Sequence, residues 1–319
     1  MMERYINILI IDSDPKIRVG LKEILAGSGN NVVVANTIDD AVVIIKKKEI
    51  GIIFINIDDS EDGFTNLQEL RSNSLIKNNY ILLVTKDGSS NVRLVKSMRE
   101  GAVDFITFPF NPNLIKSKIE VYKTLYYKDQ RIGQLLGNIF PAKVLDELSA
   151  TGKYSPKRIE NGVVLFTDFV DFSHKAKNLK PLALIRQLEK YFTRFDEIIE
   201  KYNLEKIKTI GDAYMALSGV TEDHPEPAIR ACLAALEIRD YMRKERDIAI
   251  ALKRDYWEIR IGLHMGPLVA GIIGATKFSF DVWGDTVNVA ARAEAMTKSG
   301  NISITRSVFD DIQAYFVTD

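Results

Sequence analysis

Two aspartates stand where short apolar runs end. Asp168 directly follows Val163–Thr167, and Asp212 lies in an Ile-Gly-Asp-Ala turn between runs at 206–209 and 214–218. A carboxylate at a strand's end and another in a neighbouring turn can converge on one pair of cations. Hard oxygen ligands of this type suit Mg2+ or Mn2+. Two such ions ~4 Å apart can activate an attacking hydroxyl and clamp a triphosphate. The residues after Asp168, namely Phe169, Val170, Asp171, Phe172 and Ser173, lead toward a helix whose free N–H groups can cradle phosphates. Asn288 and Arg292 lie one helical turn apart, so they project from the same face. Taken singly, an aspartate in either place is more often a turn former or a helix cap, and the surroundings must decide.

The elements that would position these residues fall into two sets. In the C-terminal half, strand-like runs occur at Val163–Thr167, Lys206–Thr209, Tyr214–Ser218 and Glu258–His264, with helices expected at 182–202, 228–244 and 287–296. Two runs separated only by Ile210–Ala213 predict an antiparallel hairpin. In the N-terminal half, apolar runs at 8–11, 32–35, 52–57, 81–85 and 103–106 alternate with helix-like stretches such as 17–25 and 92–99. Five strands alternating with helices predict a doubly wound parallel sheet covered on both faces, with its chemistry at the carboxyl ends of the strands. Between the halves, Ile115, Ile119, Tyr122, Leu125, Asp129, Ile132, Leu136 and Ile139 recur at helical spacing. They predict either a short parallel coiled coil or a helix packed on its own domain, weakened by Gly133 and Gly137. Pro141 opens a second amphipathic stretch, 142–148, and the polar segment Thr151–Pro156 marks a boundary.

The bulk numbers narrow the function class. The 319 residues suffice for two domains, each with its own core. Apolar residues make up 46% and charged residues 27%, which is a globular composition, and 43 basic residues balance 43 acidic ones. That balance carries no nucleic-acid or membrane-surface footprint. No apolar run approaches the ~18 residues of a membrane span, and the N-terminus enters a strand-like run at once, leaving no expected leader peptide. The single cysteine, Cys232, excludes internal disulfides and fits a reducing compartment. The expectation is a cytoplasmic protein with no nucleic-acid or membrane partner.

Three stretches then resemble the signature blocks of class III nucleotidyl cyclases, in the family's order: Leu165-Phe-Thr-Asp-Phe-Val-Asp-Phe-Ser173, Ile207-Lys-Thr-Ile-Gly-Asp-Ala-Tyr-Met215 and Phe280-Asp-Val-Trp-Gly-Asp-Thr-Val-Asn-Val-Ala-Ala-Arg292. The segment Leu135–Leu145 resembles the helical stretch that precedes such domains. The resemblance implies a ferredoxin-like βαββαβ core and a head-to-tail homodimer with active sites at the interface. It implies that Asp168 and Asp212 bind two Mg2+ or Mn2+ ions per site, joined by the Phe169 carbonyl. Lys208 and Asp281 match the pair that reads adenine, so ATP is the expected substrate and 3′,5′-cyclic AMP the product. The chemistry is complementary: a lysine donates to adenine N1, and an aspartate accepts from the N6 amine. Asn288 and Arg292 match the residues that orient the ribose and stabilise the transferring phosphoryl group, for which a guanidinium suits multidentate oxygens. Asp285 reads as a helix N-cap rather than a third metal ligand. A further triphosphate-gripping lysine, usual in the family, is expected shortly beyond residue 319.

Residues 5–120 resemble bacterial response-regulator receiver domains through Ile8-Leu-Ile-Ile-Asp-Ser-Asp-Pro-Lys-Ile-Arg18, Ile53–Ile57 with Asp62-Gly63, Leu83-Val-Thr85 and Asp104-Phe-Ile-Thr-Phe-Pro-Phe110. Asp12 and Thr85 stand where that family needs them. Ser13 replaces the second acidic residue, although Asp14 adjoins it; Asn56 stands at the phosphate-acceptor position and Phe108 at the lysine position. An amide is a poor acceptor, and without the lysine an acyl phosphate loses its counter-ion. The expectation is a degenerate receiver that dimerises rather than switches, with Asp58 or Asp59 as alternative acceptors. The expected organisation is a receiver over 1–120, a helical linker over 121–158 and a cyclase domain, truncated at its C-terminus, over 159–319. GTP cyclisation and a non-catalytic scaffold are the competing functions; the Lys208–Asp281 pair argues against the first and the retained catalytic-type residues against the second.

Overall fold

The computed structural model describes residues 5–27, 29–56, 61–72, 76, 79–86, 91–177, 179–220, 225–274 and 278–318. Asp58 and Asp59 lie outside the described residues, and of Asp62 and Gly63 only the helical backbone is described. The chain forms two compact units, Met1–Leu136 and Gly137–Asp319.

In the first unit, β1 (Ile6–Ile11), β2 (Asn30–Ala35), β3 (Ile52–Asn56), β4 (Tyr80–Lys86) and β5 (Asp104–Phe108) form a parallel sheet in the order β2-β1-β3-β4-β5. Between and after them run α1 (Pro15–Leu25), α2 (Ile38–Lys47), α3 (Glu61–Ser72), α4 (Asn91–Arg99) and α5 (Pro112–Gly137). The apolar runs are continuous because the sheet is buried on both faces. Leu9, Ile53, Ile55 and Leu83 pack under α2 and α3, whereas Ile8, Ile10, Phe54 and Leu82 pack under α1 and α5.

The predicted stripe along α5 divides. Ile115 and Ile119 are buried against the unit's own sheet, joined by Tyr126, and Asp129 accepts a hydrogen bond from Tyr80 Oη at 2.5 Å. A different row faces outward: Leu114, Val121, Leu125, Ile132 and Leu135 are all exposed. With Lys118 and Lys128 they step by fours and threes, a seven-residue repeat.

In the second unit, α6 (Ala142–Thr151) precedes β6 (Lys157–Phe169), α7 (Phe172–Lys177), α8 (Pro181–Lys201), β7 (Glu205–Ile210), β8 (Ala213–Ser218), α9 (Pro227–Ala251) and β9 (Ile259–Ile273). Then follow β10 (Ser279–Trp283), α10 (Asp285–Ala295), β11 (Ile302–Ile304) and α11 (Arg306–Ile312). Leaving aside the short α7, β6 to β9 make a ferredoxin-like βαββαβ core in the strand order β9-β6-β8-β7, with β10 on the far side of β9 and β11 parallel to it. The alternate residues Val163, Leu165, Ile261 and Leu263 meet α8 and α9 through Phe195, Ile198, Ala231, Ala235 and Ile238.

The strand β9 runs nine residues past the expected His264. Pro267 disguises this continuation, since it falls where the β6–β9 register shifts between Ile159 and Gly162. A bulge is where a strand tolerates a residue with no N–H to donate. On the opposite face, α10 lies on β9 at Gly262. A Cβ at that position would stand 2.6 Å from Glu294 Cα and 2.8 Å from the Ala290 carbonyl oxygen. Because those are backbone atoms of a packed helix, Gly262→Ala should destabilise the second unit by roughly 1–3 kcal/mol, the scale of overpacking a core, measured by urea unfolding.

Candidate active site

The β7–β8 hairpin and the end of β6 are built from adjacent strands, with Thr167 opposite Tyr214 in the β6–β8 ladder and Ile210 opposite Ala213 across the turn. The turn itself is Gly211-Asp212, where Gly211 has φ +65°, a left-handed conformation that glycine adopts without steric cost. This turn delivers the Asp212 carboxyl to that of Asp168, with which it forms a hydrogen bond, while the backbone N–H groups of Phe169 and Asp212 also reach it. Burial first, and then the hydrogen bond and charge of Asp168, push the Asp212 carboxyl up to about 6. Two half-buried carboxylates held together in this way share a proton or need a cation between them. The donor set fits a divalent cation with hard oxygen ligands: two carboxylates and, next in the chain, the Phe169 carbonyl. Among the described residues no third His, Cys, Asp or Glu completes a cluster.

The Phe169 ring is buried among Tyr191, Phe192, Phe195 and Trp257, which anchors the end of β6. The following segment departs in part from expectation. The Val170 N–H is already donated to the Glu258 carbonyl at 2.9 Å, so it is not available to a phosphate. Asp171 adopts φ +56°, which turns the chain into α7, and Phe172 and Ser173 open that helix with N–H groups that have no partner within it.

Lys208 Nζ and Asp281 Oδ2 are 2.5 Å apart. Their strands, β7 and β10, stand at opposite ends of the strand order. In a flat sheet four strand spacings would separate them by roughly 19 Å, so the sheet curls, and the bulge opposite Pro267 lies on the strand pair that carries β10. Asp281 is further held by the Val282 N–H, which donates to its Oδ1 at 2.8 Å. On α10, Asn288 and Arg292 are exposed, and no hydrogen bond or ion pair engages either side chain among the described residues. Asp285 is not the N-cap: Gly284 holds that place with φ +149°, and Asp285 is the first helical residue, where its charge meets the positive end of the helix dipole.

Sequence reasoning missed two residues beside the aspartates. Arg260, opposite Asp168 in the β6–β9 ladder, places Nη2 3.0 Å from Asp168 Oδ2 and Nε 2.9 Å from Glu294 Oε1. A β-strand arginine and a helix glutamate carry no signal of their own in one sequence; only the strand register reveals the arginine.

The family model for the adenylate and guanylate cyclase catalytic domain matches residues 154–317. The chain belongs to that family. A second match, to the response regulator receiver domain, covers residues 8–120. An adenylate cyclase of Mycobacterium tuberculosis is 34% identical over 184 residues, which are 57% of this chain and 41% of that protein. The chain therefore spans about two fifths of that relative's length. A receptor-type guanylate cyclase of Caenorhabditis elegans, gcy-23, is 32% identical over 206 residues, 64% of this chain and 19% of the relative. The solved structure of a bacterial light-regulated adenylyl cyclase shares the fold, with a TM-score of 0.53 at 24% identity over 69% of this chain and 64% of that one.

At the receiver domain's carboxyl edge, the parallel sheet gathers Asp12, Asn56, Thr85 and Phe108 at the ends of β1, β3, β4 and β5. Asp12 and Thr85 are buried. The Asp14 carboxylate caps α1, accepting from the Lys16 N–H at 2.8 Å. Phe108 lies edge-on to Phe110 with ring centroids 5.2 Å apart, so an aromatic pair stands at the lysine position.

The cyclase carboxylate pair has a thermodynamic signature. With the folded-state pKa of Asp212 raised from an ordinary ~3.9 to about 6, the folded protein binds the proton more tightly than the unfolded chain. Stability is then lost as pH rises between those values, and the full penalty stands above pH 6. In metal-free protein, Asp212→Asn should raise stability at pH 8 by on the order of 1 kcal/mol, after discounting for partial exposure, with little gain below pH 4. Urea unfolding at the two pH values measures it.

Proposed function

We propose that this chain is an adenylate cyclase, converting ATP to 3′,5′-cyclic AMP and pyrophosphate at sites shared between two protomers. The observation that carries the reading is the Lys208–Asp281 pair. A donor and an acceptor side by side match adenine, with its N1 acceptor and N6 donor, and mismatch guanine, which reverses both. The competing GTP reading gains nothing from this pair, because a mispaired base leaves buried polar groups unsatisfied. Until a base arrives, lysine and aspartate satisfy each other; the purine edge separates them and takes both hydrogen bonds.

Asp168, Asp212 and the Phe169 carbonyl would hold the divalent ions. Bound there, Mg2+ or Mn2+ lowers the pKa of the ribose 3′-hydroxyl and neutralises triphosphate charge. Asn288 orients the ribose, and Arg292 offsets charge on the α-phosphoryl group as the 3′-oxygen attacks in line and the bond to pyrophosphate breaks. The N–H groups that open α7 face phosphate. Catalysis is chiefly positioning and electrostatics, as in other phosphoryl transfers. The exposure of Asn288 and Arg292 without side-chain partners among the described residues favours service to a second protomer's Asp168 and Asp212.

With ATP and Mn2+ the chain should form cyclic AMP, and Lys208→Glu with Asp281→Cys should move preference toward GTP. Asp168→Ala and Arg292→Ala should each be inactive, yet a mixture should recover about a quarter of wild-type activity. Half of the randomly paired dimers then contain one intact site of two. No recovery on mixing would count against the shared site.

The outward row on α5 supports the pairing. A seven-residue apolar repeat is the seam of a left-handed coiled coil, which would raise the effective concentration of two weakly associating cyclase domains. Val121→Glu with Ile132→Glu should leave the receiver fold intact, since both side chains are exposed. The pair of changes should lower activity most in dilute protein, read from specific activity against concentration.

A further inference from the structure

Resting on the cation-site reading of Asp168 and Asp212, we propose that Glu294 sets the cation affinity of that site by drawing the charge of Arg260 away from Asp168. The guanidinium lies between two carboxylates, 3.0 Å from Asp168 Oδ2 and 2.9 Å from Glu294 Oε1. The first contact is a hydrogen bond. The second is not aligned as one: Arg260 Nε and Glu294 Oε1 are buried and find no hydrogen-bond partner despite their proximity. The arginine is therefore held to Glu294 by charge, in a place where charge counts, since the Glu294 side chain is only 7% exposed.

This arrangement has a direction. A cation approaching Asp168 meets a positive guanidinium already on one of its oxygens. With Glu294 ionised, Arg260 has a second carboxylate to lean on, and Asp168 keeps affinity for a metal ion. With Glu294 neutral, Arg260 has Asp168 as its one counter-ion in this trio and competes with the metal. Glu294 stands on α10 two residues beyond Arg292, but on the buried face that rests on β9 beside Gly262. The helix that presents Arg292 outward thus also reaches, through Arg260, the metal carboxylates of its own protomer. Because linkage is reciprocal, a cation on Asp168 releases Arg260 toward Glu294 and tightens the seat of α10. Glu294 is a positioning residue in this scheme, acting on the cation through Arg260.

The test is Mn2+ binding by the full chain without nucleotide, followed by the electron paramagnetic resonance of free Mn2+ at fixed pH. Wild type should bind and Asp168→Asn should not; failure of wild type to bind would overturn the cation-site reading itself. Given that binding, Glu294→Gln should weaken it about tenfold, the scale of coupling between contacting charges. Glu294→Gln combined with Arg260→Gln should return it to within about threefold of wild type, a rescue that general loosening of the fold does not produce. Unchanged affinity in Glu294→Gln, or no rescue in the double variant, would overturn the inference. Should Glu294→Gln fail to fold, Arg260→Gln alone decides, because it should bind Mn2+ at least as tightly as wild type and weaker binding refutes the scheme.

Discussion

Two negative charges that the fold refuses to separate govern the cyclase domain. Asp168 and Asp212 are 44 residues apart in the chain, yet the hairpin turn presses one carboxyl against the other, and burial together with that closeness pushes Asp212 up to about 6. Such closeness costs stability in the empty protein, and natural selection keeps a cost of this kind where a ligand relieves it. Everything around the pair limits its freedom to relax. The Phe169 ring is locked among four aromatic side chains, backbone N–H groups hold the Asp212 carboxyl, and Arg260 holds one oxygen of Asp168. The two carboxyls are thus held in place by the fold itself.

The second constraint is curvature. Lys208 and Asp281 sit on strands at opposite ends of the sheet order and still form an ion pair. A bulge on β6 opposite Pro267 lets the outer parts of β6 and β9 carry β10 separately from the remaining strands. Bulges increase local twist and re-aim side chains, and here the result is a donor and an acceptor 2.5 Å apart. The same long strand β9 carries Arg260 at one end, Gly262 under α10 and the β10 partner at the other end, so one strand links the Asp168–Asp212 pair to the Lys208–Asp281 pair.

Much of this was legible in the residues. The five apolar runs of the receiver and the hairpin of the cyclase stand within one or two residues of their strands over most of their length, because burial on two faces or tight turn chemistry leaves plain marks. What escaped has physical reasons. The helix Ile38–Lys47 hides its period in a run of Ile and Val, and its best signal was the Thr37 cap bonded to the Asp40 N–H. The run from Glu258 was expected to stop at His264, because one sequence cannot show the bulge opposite Pro267 that lets the strand continue. Gly284 took the cap expected of Asp285, a difference of one residue that hydrogen-bonding preference alone does not resolve. Along α5 the spacing of apolar residues was visible, but two interleaved rows share that spacing. Only the placement of the sheet decides that Ile115 and Ile119 are core while Leu114 and Val121 face out.

The receiver half keeps the receiver fold around altered site positions. Its sheet still gathers four site positions at one edge, yet an amide and a phenylalanine occupy two of them, and Asp14 is committed to a helix cap. Neither change disturbs the sheet, whose stability lies in the double-sided core under α1, α2, α3 and α5. Of the two lysines in the seven-residue row of α5, Lys128 is exposed, whereas Lys118 is tied to Asp104 of its own unit at 2.7 Å. Polar residues inside an apolar seam weaken association but fix register, and in the proposed dimer register would matter more than the strength of pairing.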